Sequence, residues 1–525
     1  MKWHAWQPPT PVATAEGPAT PPEAAGRPVR HPALLGLVVL GAAVAIRLWQ
    51  LDAVGFNSDE AVYAGQAASI SGDPAALSYF PVFRAHPLLF HATVSLVFEL
   101  VGVSDVAARL TAVAFGVANV GAALLLGREL YGTRCGLLAA ALVAVMPYHV
   151  VVSRQVLLDG PQAFLVAMSV WALARYVNRR RDRWLLVSAL FLGMSVLTKE
   201  TSIVLAGSVF AFFALAPSVP LGWRRALGAG AIFAGVVAAY PVCLRLAGAT
   251  STGGAFLTYQ LFRRPNHGLG FYPSVVPSAL GWGVVLAGLL ALVLTWRRLS
   301  WRETLLWTWV ALPVAFFELF PVKGYQYLLP MATPFAVAAS AALLRWPERL
   351  RATGRRVPSW TPFVATGLVL ATALGPTLQQ VTATERDTAL AGTGGLPGGR
   401  ELGTWIRGHV PEGVTMMTIG PSMANIIKWY GGRDARGLSV SPNPLYRNPV
   451  YDPIANPDLA IRRNQVQYVV WDSFSAERST FFAEAVIRYA DRYSGHEVYR
   501  QEVRGTDEKG QSAMVPIIIV YEVRP

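Results

Sequence analysis

The fold of this chain follows from one stretch, ALLGLVVLGAAVAIRLWQL at residues 33–51, and from the polar turn FNSDEAVY at residues 56–63 that comes after it. The first stretch has the length of a transmembrane helix, since about 20 apolar residues cross the hydrocarbon core of a bilayer. The turn carries two adjacent carboxylates, Asp59 and Glu60. Ionisable groups beside a membrane are costly unless they meet water, a partner or a substrate. The pair is therefore either an accident of topology or part of a chemical site.

The composition indicates a membrane protein. Of the 525 residues, 53% are hydrophobic and only 14% are charged. Apolar runs of about 17–20 residues recur along the chain, which predicts a polytopic α-helical membrane protein. The two cysteines, Cys135 and Cys243, lie in or beside apolar runs, so a disulfide framework is not expected.

The net charge of +14 does not indicate a nucleic-acid partner. A nucleic-acid surface needs a basic stripe interleaved with exposed aromatic side chains, and the sequence has no such stripe. The arginines instead cluster between apolar runs, as the positive-inside rule predicts for cytoplasmic loops. The clusters are Arg128/Arg134, Arg179/Arg180/Arg181/Arg183, Arg224/Arg225, Arg297/Arg298/Arg302 and Arg345/Arg349/Arg351/Arg355/Arg356.

The sequence has twelve apolar segments, and one of them cannot be a membrane span. With twelve spans and a cytoplasmic N-terminus, every arginine cluster would face outward. The best candidate is 87–103, in which His91, Ser95 and Glu99 form a polar stripe on one helical face. We predict that this helix lies at the membrane interface, so that about eleven spans remain and every cluster faces the cytoplasm. The remaining spans are 33–51, 108–127, 136–152, 160–177, 184–198, 202–217, 226–244, 278–296, 304–320, 328–345 and 361–379.

Three parts are predicted along the chain. Residues 1–32, rich in Pro, Ala and Thr, form a disordered cytoplasmic tail. Residues 33–380 form the transmembrane domain, whose first span stays as an anchor because no cleavage site precedes it. Residues 381–525 form a small extracytoplasmic α/β domain that follows a glycine-rich linker at 392–399. Its predicted strands are 414–419, 467–471 and 515–523, and its predicted helices are 401–409 and 477–493.

The outward loops all place ionisable groups near the membrane surface. Such loops suit a substrate with a lipid tail, which lies between spans, and a phosphate, which basic side chains hold. The groups are Asp59, Glu60, Arg84, His86 and Arg109; Arg154 and Asp159; Lys199 and Glu200; Arg263, Arg264 and His267; and Lys323 with Tyr325 and Tyr327.

Several short motifs, taken in order, resemble those of the GT-C membrane glycosyltransferases. They fit best the branch of the dolichyl-phosphate-mannose protein mannosyltransferases (glycosyltransferase family 39) and the lipid A aminoarabinose transferases. The resemblance covers roughly residues 33–345. No single motif is specific, but their order and spacing are. The motifs are Asp59-Glu60, HPLL at 86–89, AARL at 107–110, Ser153-Arg154 with Asp159, TKE at 198–200 and YQYLLP at 325–330.

The resemblance implies sugar transfer from a polyprenyl-phosphate donor to an acceptor hydroxyl, with inversion, on the outer face of a bacterial plasma membrane. It implies that Asp59 is the general base, with Glu60 and Asp159 orienting the acceptor or a cation. Donor-phosphate binding is expected from Arg109, Arg154, Lys199 and Lys323, and acceptor or loop contacts from His86 and Arg84. Some family members hold a divalent metal ion in the loop that contains His267 here. The expected partners are the lipid-linked donor, membrane lipid and a protein or glycan acceptor.

This chain departs from the family patterns at two places, which leaves the identity of the donor sugar and of the acceptor open. The aminoarabinose branch has a lysine where this chain has His86, and the mannosyltransferase branch has two prolines after the histidine. Here Pro87 is followed by Leu88.

Alternative interpretations remain at the level of residues. Asp59 and Glu60 are equally compatible with capping a helix that begins near Ala61, where carboxylates favour the positive helix end. A secondary transporter is the main rival class, although no inverted repeat or paired broken helices are found. A transferase that uses a lipid-linked oligosaccharide is a second rival.

Overall fold

The computed structural model describes residues 29–296, 299–383, 394–506 and 511–525. Most of the predicted tail at 1–32, and the predicted linker at 392–399 as far as residue 393, lie outside the described residues.

Seventeen α-helices precede residue 383 in the described chain, and each of the eleven predicted spans overlaps at least one of them. The predicted span 136–152 is divided between two helices at Pro147, since proline cannot donate a helical hydrogen bond and disfavours helix in the residue before it. The helices are α1 (Pro32–Leu48), α2 (Ser58–Ile70), α3 (Pro74–Tyr79), α4 (Leu89–Val101), α5 (Asp105–Tyr131), α6 (Thr133–Ala144), α7 (Pro147–Val152), α8 (Asp159–Arg179), α9 (Arg183–Thr198), α10 (Val204–Leu215), α11 (Trp223–Leu246), α12 (Thr250–Phe262), α13 (Phe271–Leu280), α14 (Trp282–Thr295), α15 (Trp301–Leu319), α16 (Ala332–Ala352) and α17 (Thr361–Val381).

Four helical stretches among the described residues are long and apolar enough to cross a membrane by themselves: α5, α11, α17 and Tyr325–Ala352, which includes α16. The pair α13 and α14 qualifies as a fifth span, although it bends by 111° at Gly281. The backbone of Gly281 has φ 91°, which favours glycine. Shorter apolar helices, among them α1, α6 and α9, cover other predicted spans. The count of about eleven spans therefore stays a prediction.

The helix α4 corresponds to the predicted interfacial segment, but the prediction about its polar stripe is partly wrong. His91 and Ser95 are buried against the protein, where α4 packs on α2 and α5. Glu99 is exposed, as are Leu96 and Leu100. Tertiary packing therefore turns the histidine side of the helix inward, which the helical period alone does not decide.

The C-terminal part, residues 394–525, contains one mixed sheet with strand order β2-β1-β3-β5-β4. The strand β1 pairs in parallel with β2 and β3, whereas β5 is antiparallel to β3 and β4. The strands are β1 (Thr415–Thr418), β2 (Asp434–Gly437), β3 (Val466–Asp472), β4 (His496–Thr506) and β5 (Ser512–Glu522); the helices are α18 (Gly399–His409), α19 (Pro421–Ile426), α20 (Pro457–Arg462), α21 (Ser473–Arg478) and α22 (Thr480–Arg492).

The three predicted strands coincide with β1, β3 and β5, while β2 and β4 were missed. Both missed strands lie at the edges of the sheet. Edge strands commonly carry charged residues, which weaken the alternating apolar pattern from which strands are predicted.

Candidate active site

The two adjacent carboxylates of the turn have separate tasks. Asn57 caps α2 and accepts hydrogen bonds from the backbone amides of Asp59 and Glu60, both at 2.9 Å. The Glu60 carboxylate closes the capping box by accepting a hydrogen bond from the backbone N–H of Asn57 at 3.1 Å. Because Asn57 and Glu60 perform the capping, the Asp59 carboxylate is left to face the cavity described below.

Glu60 does not reach the cavity, which contradicts its predicted role with the acceptor. Its side chain is fully buried and forms a two-point ion pair with Arg109, at 2.9 Å and 3.0 Å. It also accepts a hydrogen bond from the Val156 amide at 3.1 Å. The Glu60 carboxylate therefore stabilises the packing of α2 against α5 and the segment before α8.

The predicted binding of donor phosphate by Arg109 and Arg154 is also contradicted. All five N–H groups of Arg109 already donate, three to backbone carbonyls of residues 51–55 and two to Glu60. Arg154 donates to the carbonyls at the end of α1, those of Ile46, Arg47, Trp49 and Gln50. Neither side chain lines the cavity.

Asp59 lies on the wall of a large cavity, about 1010 Å³ in volume. Five other predicted or adjacent loop residues line the same cavity: Arg84, His86, Asp159, Lys199 and Glu200. Residues from the first loop, from the start of α8, from the turn between α9 and α10 and from the C-terminal part therefore meet at one place.

One ion pair and one contact between a histidine and a carboxylate organise the wall of this cavity. The Lys199 ammonium lies 2.6 Å from the Asp159 carboxylate and 5.3 Å from the centre of the Tyr327 ring. Burial opposes the charge of Lys199, but the neighbouring Asp159 prevails and raises the pKa of the lysine. The His86 ring nitrogen Nδ1 lies 2.8 Å from the Glu200 carboxylate.

The Asp59 carboxylate has neither an ion-pair contact nor a hydrogen bond with any residue in the described part of the chain. Its side chain is open to the cavity, but the cavity lies deep in the protein, and this desolvation raises the pKa of the carboxyl. The charges of His86, Lys199 and Arg84 oppose that rise. Asp59 is thus a carboxylate of increased basicity with free oxygen atoms, which is what a general base requires.

Two further predicted residues lie away from the cavity. Lys323 donates from its ammonium to the Phe320 carbonyl and does not line the cavity, so its predicted contact with phosphate gains no support from this cavity and stays a prediction. His267 stacks on the Phe271 ring at 4.2 Å and is also outside the cavity wall. No group of three or more His, Cys, Asp or Glu side chains that could hold a metal ion occurs within the described ranges. The metal role of His267 and the expected divalent ion both stay predictions.

The C-terminal part contributes residues that the sequence did not indicate. Ser439, Ser441, Arg447 and Asn448 line the cavity, as does Arg478 at the end of α21. Their loop has no motif and lies far along the chain from Asp59, so only the tertiary structure brings them there. Arg263 of the predicted fourth outward loop also lines the cavity.

The same C-terminal part holds the segment that carries Asp59. The Phe56 amide donates to the Tyr430 hydroxyl at 2.8 Å, and the Phe56 carbonyl accepts from the Leu396 amide at 3.2 Å. The Asn425 amide group donates to the Ser58 hydroxyl at 3.0 Å. Three contacts therefore fix the residues just before Asp59.

Comparison with known proteins gives a family match and similar folds. Residues 85–244 match the family model described as dolichyl-phosphate-mannose-protein mannosyltransferase. A search of curated proteins found no match.

Two solved structures of ArnT from Cupriavidus metallidurans, one apo and one bound to undecaprenyl phosphate, have TM-scores of 0.68 and 0.67, each at 14% identity over 94% of this chain and 98% of that chain. The apo Archaeoglobus fulgidus oligosaccharyltransferase has a TM-score of 0.61 at 15% identity, over 92% of this chain and 74% of that chain.

Proposed function

We propose that this chain, a glycosyltransferase by its family match and GT-C in its fold, moves a sugar from a polyprenyl-phosphate donor to an acceptor hydroxyl with inversion. The observation that carries the proposal is the Asp59 carboxylate, which opens to the cavity and has no bonded partner among the described residues. A basic side chain, Lys199, lines the same cavity.

The reaction follows from these groups. Asp59 accepts the proton of the acceptor hydroxyl while the acceptor oxygen attacks the anomeric carbon of the sugar. The bond between that carbon and the phosphate oxygen breaks, and the electron pair leaves with the polyprenyl phosphate. Attack from the face opposite the leaving group inverts the anomeric carbon, so one carboxylate is sufficient as base.

The leaving phosphate needs cations, and two basic side chains of the cavity wall meet this need. Lys199 is oriented by Asp159, and Arg263 lies on the same wall. Charge-assisted hydrogen bonds to phosphate are the strong ones in proteins, and they gain strength as negative charge develops on the leaving group. Lys199 and Arg263 therefore replace Arg109, Arg154 and Lys323 as the proposed phosphate ligands, and Asp159 acts as a positioning residue.

The membrane setting belongs to the same proposal. A ligand with the chemistry of undecaprenyl phosphate, which is bound in the ArnT structure, has a polar head and a long apolar chain. The cavity would take the head, and the apolar helices around it would take the chain. With about eleven spans and a cytoplasmic N-terminus, the cavity and the C-terminal part face outward across a bacterial plasma membrane.

The test is transfer from a labelled polyprenyl-phosphate sugar by the full chain in detergent or proteoliposomes. Asp59→Asn keeps the size of the side chain and removes the base, so the turnover rate should fall by about 10²–10⁴-fold. Asp491→Asn, on the exposed surface of α22, is the matched control and should retain the rate of the unmodified protein. Equal rates in both variants would refute the role of Asp59.

A further inference from the structure

Arg84 is a buried cation at the edge of the cavity. Its side chain is 5% exposed, yet it lines the cavity close to Asp59. The nitrogen Nη2 donates weakly to the Val450 carbonyl at 3.4 Å, and the guanidinium lies 5.4 Å from the centre of the Tyr451 ring. The nitrogen Nη1 is buried and has no hydrogen-bond partner among the described residues, and no carboxylate there forms an ion pair with Arg84.

Burying the Arg84 guanidinium in this way costs free energy. A buried charge without a counter-charge loses hydration that nothing replaces, and a buried N–H without an acceptor adds to the cost. Burial accordingly lowers the pKa of Arg84. The nearby carboxylates of Asp59 and Asp452 oppose this shift, but neither forms an ion pair with Arg84. Sites that keep a buried guanidinium in this state are typical of anion recognition, since the ligand supplies the missing acceptor.

The contacts of Arg84 assign it to a different wall from that of the proposed phosphate ligands. Lys199 contacts Asp159 and Tyr327, which belong to the transmembrane helices and the loops between them. Arg84 contacts Val450 and Tyr451 of the C-terminal part. The neighbouring lining residues of that part are hydroxyl, amide and guanidinium groups, from Ser439, Ser441, Arg447 and Asn448.

We propose that the C-terminal wall binds the acceptor, and that the acceptor carries an anionic group which pairs with the Arg84 guanidinium. This inference rests on the proposed function and names the chemical class of its second substrate. Asp59 lines the same cavity as this wall and Lys199, so an acceptor held by its anion can present a nearby hydroxyl to the base. A carboxylate or a phosphate on a glycan and an acidic side chain of a peptide have the same recognition chemistry.

The test uses pairs of acceptors that differ by one negative charge. One arm compares an alkyl glucoside with the alkyl glucuronide of the same chain length. The other arm compares a neutral serine peptide with the same peptide carrying an aspartate beside the serine. Release of polyprenyl phosphate from the labelled donor gives kcat/KM for each acceptor, and release without acceptor gives the rate of donor hydrolysis by water.

We expect the anionic member of at least one pair to have the higher kcat/KM by on the order of 10-fold, the value of one hydrogen bond to a charged group. Arg84→Gln should lower kcat/KM more for the anionic acceptor than for its neutral counterpart and so remove this preference, and Arg84→Lys should restore part of it. Arg463→Gln, which removes an exposed arginine of the C-terminal part outside the cavity, should leave the preference unchanged.

The outcomes separate the two proposals. If the protein neither hydrolyses the donor nor transfers the sugar, the proposed function fails. If it uses the donor but treats charged and neutral acceptors alike in both arms, only the anionic acceptor is refuted. A change of equal size for both members of each pair in Arg84→Gln would likewise overturn the role of Arg84.

Discussion

At the scale of single residues, two neighbouring carboxylates face different surroundings. Asp59 and Glu60 are adjacent on α2, and successive residues of a helix point about 100° apart. One side chain therefore faces the cavity while the other faces Arg109 in the interior. The capping interpretation applies to Glu60, and the catalytic interpretation is proposed for Asp59 alone.

The pH dependence of transfer should reflect the surroundings of Asp59. A base must be ionised, and desolvation raises the pKa of Asp59, so activity should be lost as the pH falls through a value above the usual aspartate range. His86 is the strongest of the charges that oppose this rise. His86→Gln should therefore move the acid limb of kcat/KM to higher pH. A limb that stays in place or moves down would contradict this assignment.

The ion pair of Glu60 and Arg109 should matter for stability rather than for chemistry. Glu60→Gln leaves a buried guanidinium without its counter-charge, which typically costs about 3–5 kcal/mol. We expect a large fall in the unfolding temperature of the purified protein. Glu497→Gln, which breaks an exposed pair with Arg500 on β4, is the control and should change stability by no more than about 1 kcal/mol. Similar falls in unfolding temperature in both variants would show that the buried pair stabilises the protein no more than the exposed pair does.

At the scale of elements, α2 depends on α19 for its position. Asn425 is buried on α19 and donates to Ser58, the first residue of α2. This side-chain amide therefore ties the start of the helix that carries Asp59 to the C-terminal part.

Asn425→Ala should lower kcat with little change in the KM for donor, because Asp59 is displaced while Lys199 is untouched. A drop on the order of 10-fold is expected, since small displacements of catalytic groups have effects of up to about 10²-fold. Asn456→Ala, which removes the cap of α20 outside the cavity, tests for a general loss of stability. A rise in donor KM with unchanged kcat would contradict a positioning role for Asn425.

At the scale of the whole molecule, the cavity requires its walls to lie on one side of the membrane. Asp59, Asp159 and the C-terminal loop line one space, so they share a side. The arginine cluster at the end of α8 lies at the other end of that helix from Asp159. The positive-inside rule predicts that this cluster is cytoplasmic, and we therefore propose that the cavity faces outward.

Cysteine labelling in intact cells tests this topology. In a Cys243→Ser background, in which only the buried Cys135 remains, Leu445→Cys should react with a membrane-impermeant maleimide. Arg180→Cys should react only after the cells are opened. The reverse pattern would place the cavity in the cytoplasm and refute transfer at the outer face.

Much of the architecture follows from the sequence alone. The apolar runs predicted the positions of the helices because burial in lipid demands long apolar segments, and the order of motifs predicted the glycosyltransferase resemblance that the family match at 85–244 confirms. Local patterns also predicted three of the five strands and placed Asp59 at a helix start.

Only the tertiary structure decided which charges are free. Arg109, Arg154 and Lys323 look like phosphate ligands in the sequence, but folding directs their donors to backbone carbonyls and, for Arg109, to Glu60. For Arg84 the sequence predicts acceptor or loop contacts, and in the structure its Nη1 is left without a partner among the described residues. The physical reason is that a polar group's availability depends on what packs against it, and those neighbours come from distant parts of the chain. The sequence determined which groups could act, and packing decided which of them face the cavity.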